Sequence, residues 1–312
     1  FIFQQTMLFT IPLMIVALGG MFSERSGVVN IALEGIMTMG AFTGILFLNM
    51  TGGKMGGQFQ LALAILISTA TGAAFAFFHA YASINMKANQ TISGTALNMF
   101  APAFAIFVAR VIQGVQQIQF NNTFRIESVP VLGKIPFLGP LLFQNTYITT
   151  YLGFAVLAVS AVVLYKTRFG LRLRACGEHP QAADSVGVNV YRMRYAGVAI
   201  SGALAGVGGL VFVVPTSTNF NATVAGYGFL ALAVLIFGQW RPSRILFAAF
   251  FFGLMKTVAS AYSGIPFLAN LGIPNDVYKM VPYVATLIVL AFTSKNSMAP
   301  RAEGIPYDKG SR

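Results

Sequence analysis

Long apolar runs constrain the fold of this sequence more than any other feature. Several reach about 18–24 residues, the length at which an α-helix crosses the hydrocarbon core of a bilayer. Of the 312 residues, 56% are hydrophobic and only 9% are charged, whereas charged residues make up about 25% of a soluble globular chain. We therefore predict an all-α polytopic membrane protein, with residues 1–312 forming a single transmembrane domain.

Nine apolar segments follow one another along the chain. They cover residues 2–21, 28–49, 60–82, 91–113, 147–165, 195–214, 224–239, 244–262 and 277–293. Because segment 224–239 is short for a full span, we expect it to be broken or re-entrant. The chain opens on an apolar segment without a charged leader, so we expect no cleavable signal peptide.

The polar stretch 166–194 lies between two strongly apolar regions and sets the predicted orientation. It holds six of the 20 Lys and Arg residues. If it faces the cytoplasm, fourteen of those 20 residues lie on the cytoplasmic side and five lie outside. Positive loops favour the cytoplasmic side, so we predict an external N-terminus and a cytoplasmic C-terminus. The net charge of +12 then reflects topology, and no nucleic acid is expected as a partner.

Small residues recur at helical spacing and predict close helix packing. Gly40 and Gly44 are four residues apart, as are Gly202 and Gly206. Residues Ser201, Ala205 and Gly209 form a second small stripe. Such spacing lets two helices approach until their backbones touch.

Two proline-rich external segments, 114–146 and 263–276, are unusually apolar for solvated loops. We expect the longer one to pack on the outer membrane face. Either segment serves as a plain connector or as a docking surface for an external protein.

Two polar stretches interrupt or enter the spans and are candidates for a solute pathway. Residues 89–98 include Ser93 and Asn98, and residues 214–223 include Thr216 and Asn219. Polar or non-helical backbone at membrane depth is tolerated where it lines a cavity or is buried in protein. The alternative is that both stretches are loop ends.

Glu34 is the acidic residue deepest inside a predicted span, and Asn30 is expected on the same helix face one turn earlier. Ionisable groups in spans commonly mark functional sites, so both residues join the candidate pathway. Alternatively, Glu34 has a structural role near the cytoplasmic interface, for example in pairing with Arg25. Lys256 also lies within a span and could extend its ammonium group outward.

Enzyme chemistry finds little support in the sequence. Two histidines and one cysteine make a His/Cys metal site improbable, and we expect neither a metal nor a cofactor. No glycine-rich phosphate-binding loop is present. If ATP drives transport, its hydrolysis must therefore occur on another chain.

Within 166–194, the segment Pro180 to Val186 predicts a short helix. Pro180 suits the first helical position, and Gly187 can end the helix in a left-handed conformation. We predict that this helix docks on a cytoplasmic partner, with its basic flanks at anionic lipid headgroups.

The string ACGEHPQAADSVGVNVYRMR resembles the coupling loop of bacterial ATP-binding cassette (ABC) importer permeases for branched-chain amino acids and simple sugars. The matching positions are Gly177, Glu178, Pro180, Ala182, Ala183 and Gly187. His179 stands where that pattern more often has Asn. The string ALGGMFSERSGVVNIALEGIMTMGAFTG, with Glu24, Arg25, Asn30 and Glu34, is similar to the nucleoside permeases of the same superfamily, as is SGTALNM with Ser93 and Asn98.

The resemblance implies a non-catalytic permease in the bacterial inner membrane. Its implied partners are ABC ATPase subunits, a second permease subunit and an extracytoplasmic substrate-binding lipoprotein. The residues expected to couple it to the ATPase are Gly177, Glu178, His179, Pro180, Ala182, Ala183, Asp184 and Gly187. The implied cargo is a nucleoside. Alternatives are a branched-chain amino acid or monosaccharide permease, an ion-coupled transporter or channel, and a membrane-embedded enzyme.

Overall fold

A computed structural model describes residues 2–52, 54–130, 132–136, 139, 143–262, 272–293 and 297–310. Helices dominate these residues. In chain order they are α1 (Ile2–Arg25), α2 (Leu33–Met50), α3 (Gly57–Ile84), α4 (Gln90–Gln113), α5 (Ile148–Lys166), α6 (Arg168–Glu178), α7 (Pro180–Ser185), α8 (Val190–Thr216), α9 (Tyr227–Phe237), α10 (Pro242–Ala261) and α11 (Asn275–Thr293). Four short strands, β1 (Ile118–Gln119), β2 (Ile126–Ser128), β3 (Gln144–Thr146) and β4 (Asn219–Phe220), and a 3-10 turn at Leu132–Lys134 complete the elements.

Seven helices in the described part of the chain are long and apolar enough to cross a membrane. They are α1, α2, α3, α4, α5, α8 and α10. The prediction of an all-helical polytopic membrane protein is confirmed, but the count of nine segments is not. Helix α9, in the predicted short segment, has only 11 residues, which at 1.5 Å per residue is about half the bilayer core.

Helices α1 and α8 form the centre of the bundle. Almost all of α1 between Thr6 and Glu24 is buried, and α8 packs against α1, α2 and α3. The outer faces of α3 and α4 instead leave large apolar side chains uncovered, among them Phe78 and Met99. The chain therefore places its most tightly packed helices inside, and the outer helices present apolar side chains that suit lipid.

Glycines bring the central helices into backbone contact, as predicted. A Cβ on Gly40 would lie 2.4 Å from the Cα of Gly206, and one on Gly209 would lie 2.0 Å from the carbonyl oxygen of Met37. A Cβ on Gly202 would lie 2.5 Å from the carbonyl oxygen of Gly72. No side chain fits at these crossings, so helices α2 and α3 meet α8 only because both surfaces are small.

The residues between α4 and α5 fold back over one end of the bundle. Strand β1 pairs antiparallel with β4, and β2 pairs with β3. The Asn122 side chain donates to the Val214 carbonyl (2.6 Å), and Phe120 and Phe124 are buried. The described residues of segment 114–146 thus pack on one end of the bundle, and their predicted contact with the outer membrane face stays a prediction. Phe137, Leu138, Leu141, Leu142 and most of segment 263–276 lie outside them.

Candidate functional site

The stretch predicted as a polar loop, 166–194, is mostly helical. Helix α6 occupies Arg168–Glu178, and α8 already begins at Val190. Thr167 caps α6 by accepting a hydrogen bond from the Gly170 amide at 3.1 Å. The sequence predicted a single short helix in this stretch, and that prediction was wrong for the residues on either side of it. Apolar and basic residues alternate along Arg168–Glu178 and form an amphipathic helix, α6.

The short central helix agrees with its prediction. Helix α7 spans Pro180–Ser185 with Pro180 in its first turn, and Gly187 has a φ of +85°. The amide of Gly187 donates to the Asp184 carbonyl at 2.9 Å. Only a glycine adopts this left-handed conformation readily, so the helix ends where the sequence predicted.

One face of α7 is covered and the other is open. Pro180 and Ala183 are buried, and Ala183 packs in a small cluster with Cys176, Val190 and Tyr307. The open side is formed by His179, Gln181, Ala182, Ser185, Val186 and Gly187, all exposed. Ala183 therefore belongs to the internal face of α7, whereas Ala182 belongs to the surface that a partner could contact.

The C-terminal tail, residues 297–310, covers the internal face. The Ala302 amide donates to the Gly177 carbonyl (2.8 Å), and the Gly304 amide donates to the Gly27 carbonyl (3.2 Å). The tail also holds Tyr307, whose ring packs edge-on against Tyr191 at 5.4 Å between centroids. The tail and segment 166–194 thus occupy the same end of the bundle.

The sequence predicted that the basic residues flanking α7, Arg194 among them, contact lipid headgroups. For Arg194 this prediction is wrong. Its side chain is buried, donates to the Ile305 carbonyl at 2.9 Å and lies 6.0 Å from the Tyr307 ring centroid. Because it packs against the tail, it is shielded from lipid. Arg168, Arg172 and Arg192 remain exposed.

Two ionisable groups at this end are perturbed by burial. Desolvation raises the pKa of the Cys176 thiol to about 11, so the thiol stays protonated at neutral pH and is chemically inert. Desolvation also raises the pKa of the Glu303 carboxyl in the tail. The first shift reflects burial of α6 under the tail, and the second reflects burial of the tail itself against the end of α1.

Arg25 joins this end to the membrane-spanning helices. Its guanidinium lies 3.6 Å from the Glu178 carboxylate and donates to the Trp240 carbonyl at 3.2 Å. Gly177 fits against the same helix end, since a Cβ there would lie 2.3 Å from the Arg25 carbonyl oxygen. The suggested pairing of Arg25 with Glu34 is therefore wrong.

Glu34 instead holds the start of α9. Its two carboxylate oxygens accept hydrogen bonds from the Gly226 amide (2.9 Å) and the Gly228 amide (2.6 Å). A carboxylate at a helix N-terminus satisfies amides that have no partner within the helix and complements the helix dipole. Glu34 thus has a structural role with a defined partner, Gly226, which is 192 residues away in the sequence.

Helix α9 begins deep within the bundle. Its far end lies at the Arg25 end of the bundle, and its 11 residues extend about 16 Å. The preceding strand β4 pairs with β1, which follows α4. Residues 217–226 and helix α9 therefore form a broken span, with a non-helical part that includes β4 followed by a half-length helix.

Asn30, Ser93 and Asn98, three more of the predicted pathway residues, meet at the connection between α1 and α2. Asn30 lies before α2, so the expected shared helix face with Glu34 is wrong; its amide donates to Ser201 Oγ at 2.9 Å. Ser93 Oγ contacts His79 Nδ1 at 3.1 Å. Asn98 accepts from the Gly35 amide (2.7 Å) and donates to the Ile31 carbonyl (2.9 Å). These side chains join the α1–α2 connection to α3, α4 and α8.

Thr216 and Asn219 lie at the opposite end of the bundle from α7. Thr216 is the last residue of α8 and Asn219 is in β4, and both are exposed. A cleft of about 580 Å³ opens nearby, lined by Asn49, Gln113, Val115, Gln116, Gln117 and Gln119.

Among the described residues, no group of three or more His, Cys, Asp or Glu side chains is placed to hold a metal ion.

Comparison with known proteins gives concordant results. Residues 2–290 match the family model described as the branched-chain amino acid transport system permease component. The chain is 43% identical to the nucleoside ABC transporter permease NupC of Lactococcus lactis, covering 97% of this chain and 95% of that protein. It is 44% identical to the guanosine ABC transporter permease NupQ of Bacillus subtilis, covering 98% and 96%.

The fold is also similar to that of a solved transporter. A structure described as an inward-facing conformation of a metal-chelate type ABC transporter superposes with a TM-score of 0.53, at 15% identity, over 93% of this chain and 85% of that one. At this identity the likeness concerns the fold alone.

Proposed function

The chain belongs to the branched-chain amino acid transport system permease family, and we propose that it is the permease subunit of an ABC importer that takes up nucleosides. The observation that carries the proposal is the identity of 43% and 44% to a nucleoside and a guanosine permease over nearly the full length of all three chains. A polytopic helical bundle with a broken span is consistent with a solute pathway.

The cargo is tested by uptake. Cells lacking this chain should take up labelled guanosine, adenosine and uridine more slowly than the parent, and a plasmid copy should restore the rates. Uptake of leucine and ribose in the same cells is the control. A defect confined to leucine or ribose would show that the cargo is a branched-chain amino acid or a monosaccharide.

We assign ATPase docking to the exposed side of α7. Val186 is 78% exposed, and Ala182 and Ser185 lie beside it on the open surface. An exposed apolar residue beside small side chains can enter a groove on a partner protein. Hydrolysis of ATP then belongs to that separate partner, and segment 166–194 and the C-terminal tail face the cytoplasm of a bacterial cell.

The eight predicted coupling residues divide between contact and support. His179, Ala182 and Gly187 contact the ATPase from the exposed surface. Pro180 and Ala183 fix α7 on the bundle from its buried side. Gly177 and Glu178 connect α6 to Arg25, and Asp184 accepts the hydrogen bond that ends α7.

Ala182→Arg tests this assignment. The arginine is accommodated at an exposed site, so the permease should insert normally while nucleoside-stimulated ATP hydrolysis falls. Met55→Arg adds the same charge in the exposed loop after α2 and should leave the coupling unchanged. Normal coupling in the Ala182 variant would remove α7 from the docking surface.

For the pathway, Thr216 and Asn219 are proposed to line the external entrance, since both are exposed at the end opposite α7. Asn30, Glu34, Ser93 and Asn98 support the pathway by holding the helices around it. The external lipoprotein and a second permease subunit complete the proposed assembly.

A further inference from the structure

Lys256 is the one basic residue that sits well inside a span in the described part of the chain, and the proposed function gives it no role. It lies 14 residues into α10, which places its Cα about 21 Å from the start of that helix. Its Nζ lies 5.7 Å from the centroid of the Tyr227 ring. A cation at this distance over an aromatic face is attracted by the ring.

The lysine side chain is half-buried, and its ammonium group lies over the face of an aromatic ring of the bundle. Helical side chains lean towards the N-terminus of their own helix, and here the ammonium group turns towards Tyr227 at the start of the half-length helix α9. The outer end of α10, Ala261, is only five residues further.

Among the residues that the structure describes, no carboxylate forms an ion pair with Lys256. All eight Asp and Glu residues belong to the described residues, and the ion pairs among them involve Glu178, Asp276 and Asp308 with other bases. Glu34 already accepts from two backbone amides. An unpaired ammonium within a span is costly and is usually retained for function.

The hydroxyl of the neighbouring Tyr227 is a second buried polar group without a partner among the described residues. Its side chain is 1% exposed, yet its hydroxyl has no hydrogen-bond partner in the described structure. Leaving a buried hydroxyl unpaired costs about 1–3 kcal/mol. Its ring is fixed by Phe212, at 3.9 Å between centroids, so the hydroxyl is held in a single environment.

These two groups meet where three helices of the bundle adjoin. Helix α11 packs against both α9 and α10, and its Tyr283, which is 57% exposed, interacts electrostatically with Tyr227. The place therefore combines an ammonium donor, a phenolic hydroxyl and an uncovered aromatic ring near the depth at which α9 begins. Transporters bind solutes at such depths beside discontinuous helices.

We propose that Lys256, Tyr227 and Tyr283 form a site that binds the nucleobase during translocation and favours 6-oxopurine nucleosides. This proposal rests on the proposed function. The ammonium group only donates hydrogen bonds, and the O6 and N7 atoms of guanine or hypoxanthine both accept. Adenine presents N7 beside an N6 amino donor, which opposes the ammonium group. Tyr283 supplies a face on which the base stacks.

The first test is Lys256→Met in the intact transporter, with guanosine, inosine and adenosine uptake measured side by side. The ratio of guanosine to adenosine uptake should fall roughly tenfold relative to the wild type, the discrimination expected for loss of a base-edge contact. Lys256→Arg should retain most of the preference. Lys54→Met, in the exposed loop after α2, is the matched control and should leave the ratio unchanged.

Tyr227→Phe separates binding from folding. Removal of a hydroxyl that has no internal partner should leave the melting temperature equal or higher, while the concentration of guanosine giving half-maximal uptake rises several-fold. Equal loss of all nucleosides in Lys256→Met, or unchanged uptake in Tyr227→Phe, would overturn the site. Absence of nucleoside uptake by the wild type would overturn the proposed function itself.

Discussion

Replacing Glu34 with alanine is the sharpest test of how the broken span is held. In the native chain its carboxylate accepts from the Gly226 and Gly228 amides at 2.9 and 2.6 Å. Alanine removes both acceptors at once. The first amides of α9 then face the bundle interior with no partner from within their own helix.

The expected cost follows from those two bonds. A hydrogen bond to a charged group contributes about 1.5–3 kcal/mol, and a carboxylate at a helix N-terminus adds up to about 2 kcal/mol in partly buried settings. Because Glu34 is only partly buried, water can replace some of this. We expect a destabilisation of about 3 kcal/mol for Glu34→Ala. Glu34→Gln, which keeps one acceptor oxygen, should lose about half as much.

The chain carries its own reporter for this measurement. Trp240 is the single tryptophan, is buried and lies just beyond α9. Its indole donates to the Glu24 carboxylate. Thermal unfolding in detergent, followed by tryptophan fluorescence, should give melting temperatures that fall from wild type to Glu34→Gln to Glu34→Ala.

Transport measured on the same variants decides between the two roles of Glu34. If the residue holds α9, uptake and melting temperature fall together. If Glu34→Ala abolishes uptake but melts within about a degree of the wild type, the carboxylate contacts the cargo and the cap is incidental. Unchanged uptake and unchanged melting in both variants would refute the reasoning altogether.

Three further predictions concern other contacts. Arg25→Lys keeps a charge but loses the planar fork that reaches both of its partners, so transport should fall while variant yield stays normal. Gly206→Leu should prevent stable folding, because even a Cβ there would lie 2.3 Å from a backbone oxygen of α3; the readout is a monodisperse peak in detergent, which Val186→Leu should retain. Cys176, with a pKa near 11, should resist alkylation at pH 8 until the chain is unfolded. Since its folded pKa exceeds its unfolded value of 9.0, its stabilising contribution should be complete below pH 9 and disappear as the pH rises towards 11.

The sequence predicted features that depend on neighbours in the chain. Apolar runs located the spans, and the four-residue glycine spacing located the contact of α2 and α3 with α8. The shortness of segment 224–239 indicated the broken span. Pro180 and Gly187 delimited α7, because proline and glycine act on the local backbone.

The features that were missed depend on distant partners. Nothing beside Glu34 in the sequence indicates that it binds amides of Gly226 and Gly228. Ala182 and Ala183 are identical in type, yet only Ala183 is buried, because the tail residue Tyr307 packs on that side. In the sequence, Arg194 cannot be distinguished from a basic residue at the membrane surface, because its partner, the Ile305 carbonyl, lies in the distant C-terminal tail. Long-range packing decides each of these.

The connection between α1 and α2 explains how movement at α7 could reach the middle of the membrane. Glu178, just before α7, contacts Arg25, and Arg25 also binds the Trp240 carbonyl beyond the inner end of α9. The other end of α9 is held by Glu34, a short distance beyond Arg25 in the chain. In the proposed coupling, a displacement of α7 acts on both ends of the half-length helix through one short segment. Packed interfaces switch between discrete arrangements. The segment from Arg25 to Glu34 can therefore transmit the displacement of α7 to α9 without bending of the long central helix α8.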